Sequence, residues 1–183
     1  MRRSIGLEQA ESPDIEITRM RRRHLRGIMA IERRVYPRPW SPSLFVSEMT
    51  AGRTRSYLVA LEERTVVGYG GLISYGEEAH VTTIAVQPER QRLKIGTRLM
   101  YDLVGEAQRM GAHAVSLEVR VTNWGAQRMY ARFGFRPVGV RKGYYQETGE
   151  DAVIMWTEDI RSPAYRRVLD RIIAEVPERV RGR

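Results

Sequence analysis

HVTTIAVQPERQRLKIGTRLMYDLVGEAQRM, residues 80–110, decides how this chain is read. Val81, Thr83 and Ala85 alternate with Thr82, Ile84 and Val86, the period of a strand, and Pro88 ends the ladder because it has no N–H to donate. From Thr97 onward Leu99, Met100, Leu103, Val104, Ala107 and Met110 recur at helical spacing, and Gly111 stands where a left-handed C-terminal cap belongs. The loop between them carries Arg90, Arg92 and Lys94 to the start of that helix. Unpaired N–H groups and the helix dipole both favour an anion there, so the pattern predicts a phosphate cradle.

On the N-terminal side, Ile15 and Ile17 read as a short strand, and Leu25, Ile28, Met29 and Val35 as a helix stopping before Pro37. Ser41 followed by Pro42 has the form of a helix cap with proline in the first turn. SYLVAL and TVVGYGGLIS form a hairpin that leads into the strand at His80. On the C-terminal side, Val115, Leu117, Val119 and Val121 alternate with Ser116, Glu118 and Arg120. Asn123 then caps a helix whose stripe is Ala126, Met129, Tyr130 and Phe133, and VGVRKGYY and AVIMWT close the sheet. Hairpins with interspersed helices predict an α+β fold. The expected organisation is an unstructured segment 1–14, one domain at 15–157, and an extension at 158–183. In that extension Tyr165, Val168, Leu169, Ile172, Ile173 and Val176 share a helical face, and ERVRGR is expected to fray.

A chain of 183 residues can bury one sizeable core. It has no cysteine, which removes disulfides and thiol nucleophiles, and its three histidines lack metal-ligand spacing, so no metal is expected. The N-terminus has no apolar signal region and no run long enough to span a membrane, which makes a cytoplasmic protein the expectation. The formal charge is +9, carried almost entirely by arginine, with lysine only at Lys94 and Lys142. The densest cluster, Arg19 to Arg26, lacks the interleaved aromatics of a single-strand stacking platform, so no direct nucleic-acid role is favoured.

The strand–loop–helix segment, read with LEVRVTNWGAQRMYARFGF, resembles the GCN5-related N-acetyltransferase (GNAT) family, and within it the bacterial ribosomal-protein N-terminal alanine acetyltransferases (RimI type). The resemblance runs from about Ile15 to Trp156 and includes PWS at Pro39 to Ser41, IAV at Ile84 to Val86, LEVR at Leu117 to Arg120, and the Tyr144–Tyr145 pair. It implies a mixed, mostly antiparallel twisted sheet splayed at its centre, with acetyl-CoA as co-substrate. Ile84, Ala85 and Val86 would line the pantetheine arm, with the Val86 N–H as oxyanion donor. The pyrophosphate would meet Arg92, Leu93, Lys94, Ile95, Gly96 and Thr97, and Asn123 would also touch the cofactor. Lys94 departs from the family loop, which has glycine there: either its φ is negative, or it is held left-handed at some strain while adding a charge.

By the same resemblance Glu118 is the general base and Tyr130 the general acid. An α-ammonium of reference pKa about 7.7–8.0 yields its proton to a carboxylate at modest cost, and a phenol of about 10 still holds its proton when a thiolate leaves. The plain alternatives are a glutamate paired with Arg120 or another arginine, and a core tyrosine. Trp40, Tyr144 and Tyr145 would line a slot for a protein N-terminus, implying the N-terminal alanine of the eighteenth small-subunit ribosomal protein. The competing functions are an acetyltransferase for lysine or small amines, and a non-catalytic acyl-CoA-binding module at the ribosome.

Overall fold

A computed structural model describes residues 13–182, so the disorder expected of 1–14 falls almost wholly outside it. The strands are β1 Ile15–Arg19, β2 Arg55–Glu62, β3 Thr65–Ser74, β4 Glu78–Val86, β5 Ala114–Arg120, β6 Arg136–Tyr145 and β7 Glu150–Thr157. They make a seven-stranded sheet of order β1-β2-β3-β4-β5-β7-β6, antiparallel everywhere except between β4 and β5.

Alternation along β2 sorts the chain onto two cores. Leu58 and Ala60 face one, with Leu99, Leu103 and Phe133, while Tyr57, Val59 and Leu61 face the other, with Ile28, Phe45 and Tyr69. The second face is covered by α1 (Leu25–Val35) and α2 (Pro42–Thr50), and the first by α3 (Ile95–Arg109), with α4 (Trp124–Arg132) alongside. Three caps form where the sequence places them: Ser41 Oγ accepts from Leu44 N–H, Asn123 Oδ1 from Ala126 N–H and Ser162 Oγ from Tyr165 N–H, each at 3.1 Å. Ser162 starts α5 (Pro163–Ala174) on the α3 face.

The expected frayed end is instead a further turn of helix, α6 (Glu178–Arg181). Val180 is fully buried against that core, and burying it offsets the cost of ordering the short segment.

The pairing of Tyr57 with Gly71 across β2 and β3 is close. A Cβ on Gly71 would lie 2.1 Å from the Tyr57 ring, which is buried and held by hydrogen bonds of its hydroxyl with Glu48 and Thr82. Gly71→Ala is therefore expected to destabilise the fold by about 2–3 kcal/mol through overpacking, measured as a lower urea midpoint with unchanged m-value.

Strand β4 departs from the uniform alternation the sequence predicts. Gly71 pairs with Thr83 but Leu72 pairs with Val81, so Thr82 is an extra residue, a β-bulge. Val81 accordingly packs in the α3 core while Ala85 packs in the α1–α2 core. Pairing between β4 and β5 ends at the same level, with Val81 and Leu117 as its last partners, and the two strands separate beyond it.

Candidate active site

The separation leaves backbone groups without a strand partner. Gln87 N–H donates to Val67 C=O at 2.8 Å, so by antiparallel alternation Ala85 turns its own N–H and C=O towards β3. Ile84 and Val86 turn theirs into the split. The Ile84 carbonyl there accepts from Tyr36 Oη at 3.0 Å and the Val86 carbonyl from Gln91 Nε2 at 3.2 Å. Of the three residues in the IAV motif, Ile84 and Val86 thus present backbone to the split, and Ala85 does not.

At the mouth of the split lies the start of α3. Ile95 is buried in the core and Leu93 packs against it, so both side chains are turned into the core. Thr97 is buried, Gly96 lies beside Val86 and Met129, and Arg92 is exposed. Arg92 and Lys94 both adopt left-handed backbone, with φ of 67° and 66°, which resolves the alternatives for Lys94 in favour of a strained residue. Left-handed helical geometry costs a non-glycine residue about 1–2 kcal/mol, whereas glycine loses about 0.4–1 kcal/mol through the unfolded chain. Lys94→Gly is therefore expected to leave stability unchanged or raise it by up to about 1 kcal/mol in chemical denaturation, while weakening phosphate-ligand binding and its salt dependence.

Glu118 projects from β5 beside the split. Val115, Leu117 and Val119 take the α3 face, which places Ser116 and Glu118 on the α1–α2 face. Its carboxylate is shared: His80 Nε2 lies 3.0 Å from Oε2, and Arg141 Nη1 lies 3.2 Å from Oε1. With the carboxylate as acceptor, Nε2 carries the hydrogen. In the neutral ring Nδ1 then accepts from Ser116 Oγ at 2.9 Å, which fixes the tautomer. The arginine on Glu118 is thus Arg141, while Arg120 binds Glu147, Glu150 and Thr148 and stacks 3.8 Å from the Tyr145 ring.

Tyr130 lies across the sheet, in the α3 core, its ring 6.0 Å from Phe135. Burial, then the neighbouring Tyr36 and Tyr145, push its hydroxyl above the ordinary phenol range. That hydroxyl makes no hydrogen bond to the described residues.

Aromatic side chains stand on two segments, the α1–α2 connection and the β6–β7 hairpin. On one, the Trp40 ring packs 5.3 Å from Phe45, and the Trp40 backbone N–H donates at 2.7 Å to the buried Glu32, which also accepts from Tyr69. Burial raises the Glu32 carboxyl above the usual range. On the other, Tyr144 and Tyr145 meet edge to face at 5.1 Å, and burial pushes Tyr145 up to about 12. Tyr36 feels both Tyr130 and Tyr145, and Arg38 feels Glu147, so the α1–α2 segment confronts the β6–β7 hairpin. Sequence reasoning does not single out His80, Arg141 or Tyr36, although the first two stand inside strand-like runs. Only the register of β4, β5 and β6 brings His80 and Arg141 to Glu118.

Among the described residues no helix is long and apolar enough to cross a membrane, and no group of three or more His, Asp or Glu side chains is placed to hold a metal.

Residues 25–135 match the sequence profile of the Acetyltransferase (GNAT) family. The [Ribosomal protein bS18]-alanine N-acetyltransferase of Escherichia coli strain K12 is 32% identical over 127 residues, covering 68% of this chain and 84% of that protein. N-alpha-acetyltransferase RimI of Mycobacterium tuberculosis is 37% identical over 121 residues, 64% of this chain and 74% of that protein. The crystal structure of the E. coli ribosomal-protein-S18-alanine N-acetyltransferase superposes with a TM-score of 0.71 at 28% identity, covering 79% of this chain and 94% of that one. The split β4–β5 pair and this degree of likeness agree: the chain belongs to the GNAT family of acetyltransferases.

Proposed function

We propose that this protein transfers acetyl from acetyl-CoA to the α-amine of a protein N-terminus, the named relatives pointing to the N-terminal alanine of ribosomal protein bS18, and that it does so in the cytoplasm. What supports the reading is that Glu118 stands on one face of the sheet, on His80 of β4, and Tyr130 on the other, within electrostatic reach of Tyr36, whose hydroxyl donates to the Ile84 carbonyl in the split. A peptide entering between Trp40 and the Tyr144–Tyr145 pair reaches Glu118 from the α1–α2 face. A thioester laid along Ile84 and Val86, with its phosphates at the α3 loop, reaches Tyr130 from the other. No side chain among these is a nucleophile in need of acylation, so the reaction is direct attack in a ternary complex.

Arg141 is more than half exposed and leaves Glu118 readily when an ammonium takes its place on Oε1. Glu118, oriented by His80, takes the amine proton directly or through water, and the nitrogen attacks the thioester carbonyl. The Val86 N–H, free of any ladder bond, receives the oxyanion. Collapse breaks the C–S bond, and Tyr130 donates its hydrogen bond to the departing thiolate. Tyr130 titrates above a thiol and so keeps its proton; of the two protons the ammonium loses, Glu118 passes one to solvent, and the other, shed by the nitrogen as the amide forms, reaches the CoA sulfur through water.

Incubation with acetyl-CoA and peptides that share the bS18 N-terminal sequence but differ in their first residue, read by mass, tests this. The expected product is α-acetylated alanine peptide. Modification confined to a lysine side chain, or none, would overturn it.

A further inference from the structure

The helices past the acetyltransferase domain place a carboxylate at the cofactor loop. Glu175, which follows α5, has Oε2 2.5 Å from Arg132 Nη2 and 3.9 Å from Lys94 Nζ. Arg132 ends α4, one turn after Met129, and Met129 Sδ borders Gly96 at the start of α3. One carboxylate thus spans a cation of the phosphate loop and a cation of the adjoining helix.

The backbone that carries Glu175 is fixed even though its side chain reaches solvent. Ile172 and Val176 on either side are buried, Arg181 Nη2 donates at 3.2 Å to the carbonyls of both Ala174 and Val176, and Tyr165 Oη donates at 2.8 Å to the Phe133 carbonyl beside Arg132. One anionic oxygen shared between a guanidinium and an ammonium is what a phosphate oxygen also offers.

We propose that Arg132 and Lys94 form a phosphate subsite for acyl-CoA, and that Glu175 occupies it in the free protein and is displaced by the ligand. The proposal rests on the acetyl-CoA reading above. The C-terminal extension then sets how tightly the loop holds the cofactor, because each bound phosphate must first take the place of an internal anion. Product CoA carries the same phosphates, so the competition also speeds its departure.

The test is titration calorimetry of wild type, Glu175→Gln, Arg132→Gln and the double variant with CoA, dephospho-CoA and pantetheine. Gln keeps the shape of Glu175, and circular dichroism would confirm that the fold is intact. Glu175→Gln is expected to bind CoA about 2- to 5-fold more tightly, the range for an exposed ion pair, with pantetheine unchanged and the gain reduced in the Arg132→Gln background. A gain kept with dephospho-CoA assigns the subsite to the pyrophosphate, and one lost with it assigns the 3′-phosphate. Unchanged or weaker CoA binding in Glu175→Gln, or an equal gain with pantetheine, would refute the competition. Wild type failing to bind CoA at all would instead remove the reading beneath it.

Discussion

Glu118→Gln is expected to lower turnover at pH 7 by about 10²- to 10⁴-fold, the range for loss of a general base, while acetyl-CoA binding and thermal stability stay near wild type. Gln keeps the volume and one acceptor, so it can accept from His80 while the exposed Arg141 turns to solvent, and the local packing survives. What it cannot do is accept the amine proton. The deficit should shrink as pH rises through the reference range of an α-amine, about 7.7–8.0, because free amine then arrives without help. Steady-state rates on the alanine peptide from pH 6 to 9.5 would show a steeper dependence in the variant. Parallel profiles of equal height would mean that Glu118 is only the half-buried partner of an arginine.

Tyr130→Phe should cost about 10²-fold in kcat and leave the melting temperature unchanged or slightly higher. The ring is buried, and the hydroxyl makes no hydrogen bond to the described residues, so its removal strands no partner. Burial and the neighbouring tyrosines hold the folded-state phenol above its ordinary value of about 10, so it stays protonated through any practical assay. The substitution should therefore lower the pH profile without reshaping it. A stable variant with full turnover, or a fall in stability with kcat intact, would return Tyr130 to the core.

Local chemistry carried most of the fold into view. Ser41, Asn123 and Ser162 cap the helices whose apolar spacing begins just after them, and the 80–110 segment becomes strand, loop and helix in the expected order. Three features were hidden, each for a physical reason. The Thr82 bulge shows no local turn signal, since HVTTIAV reads as unbroken alternation, and only the pairing with Gly71 and Leu72 reveals the extra residue. The contacts of Glu118 depend on inter-strand register, which sets His80 opposite Ser116 and brings Arg141 across from β6. The last turn of helix reads as a charged tail until Val180 finds the α3 core. The position of Lys94 was legible, but its left-handed backbone and its ionic neighbour Glu175 were not.

The early end of the β4–β5 ladder has a consequence for the molecule as a whole. Glu78–Val81 and Ala114–Leu117 are the four residue pairs that stitch β1–β4 to β5–β7. Past them the sheet has an edge in its own middle, where side chains of Tyr36 and Gln91 rather than a strand meet the Ile84 and Val86 carbonyls, and such an edge normally invites a foreign strand. A pantetheine arm, itself a chain of amides, is extended and narrow enough to serve as that strand. On the reading proposed above, loading the substrate would also complete the protein's architecture, with the acyl carrier acting for the length of a turnover as a structural member of the sheet.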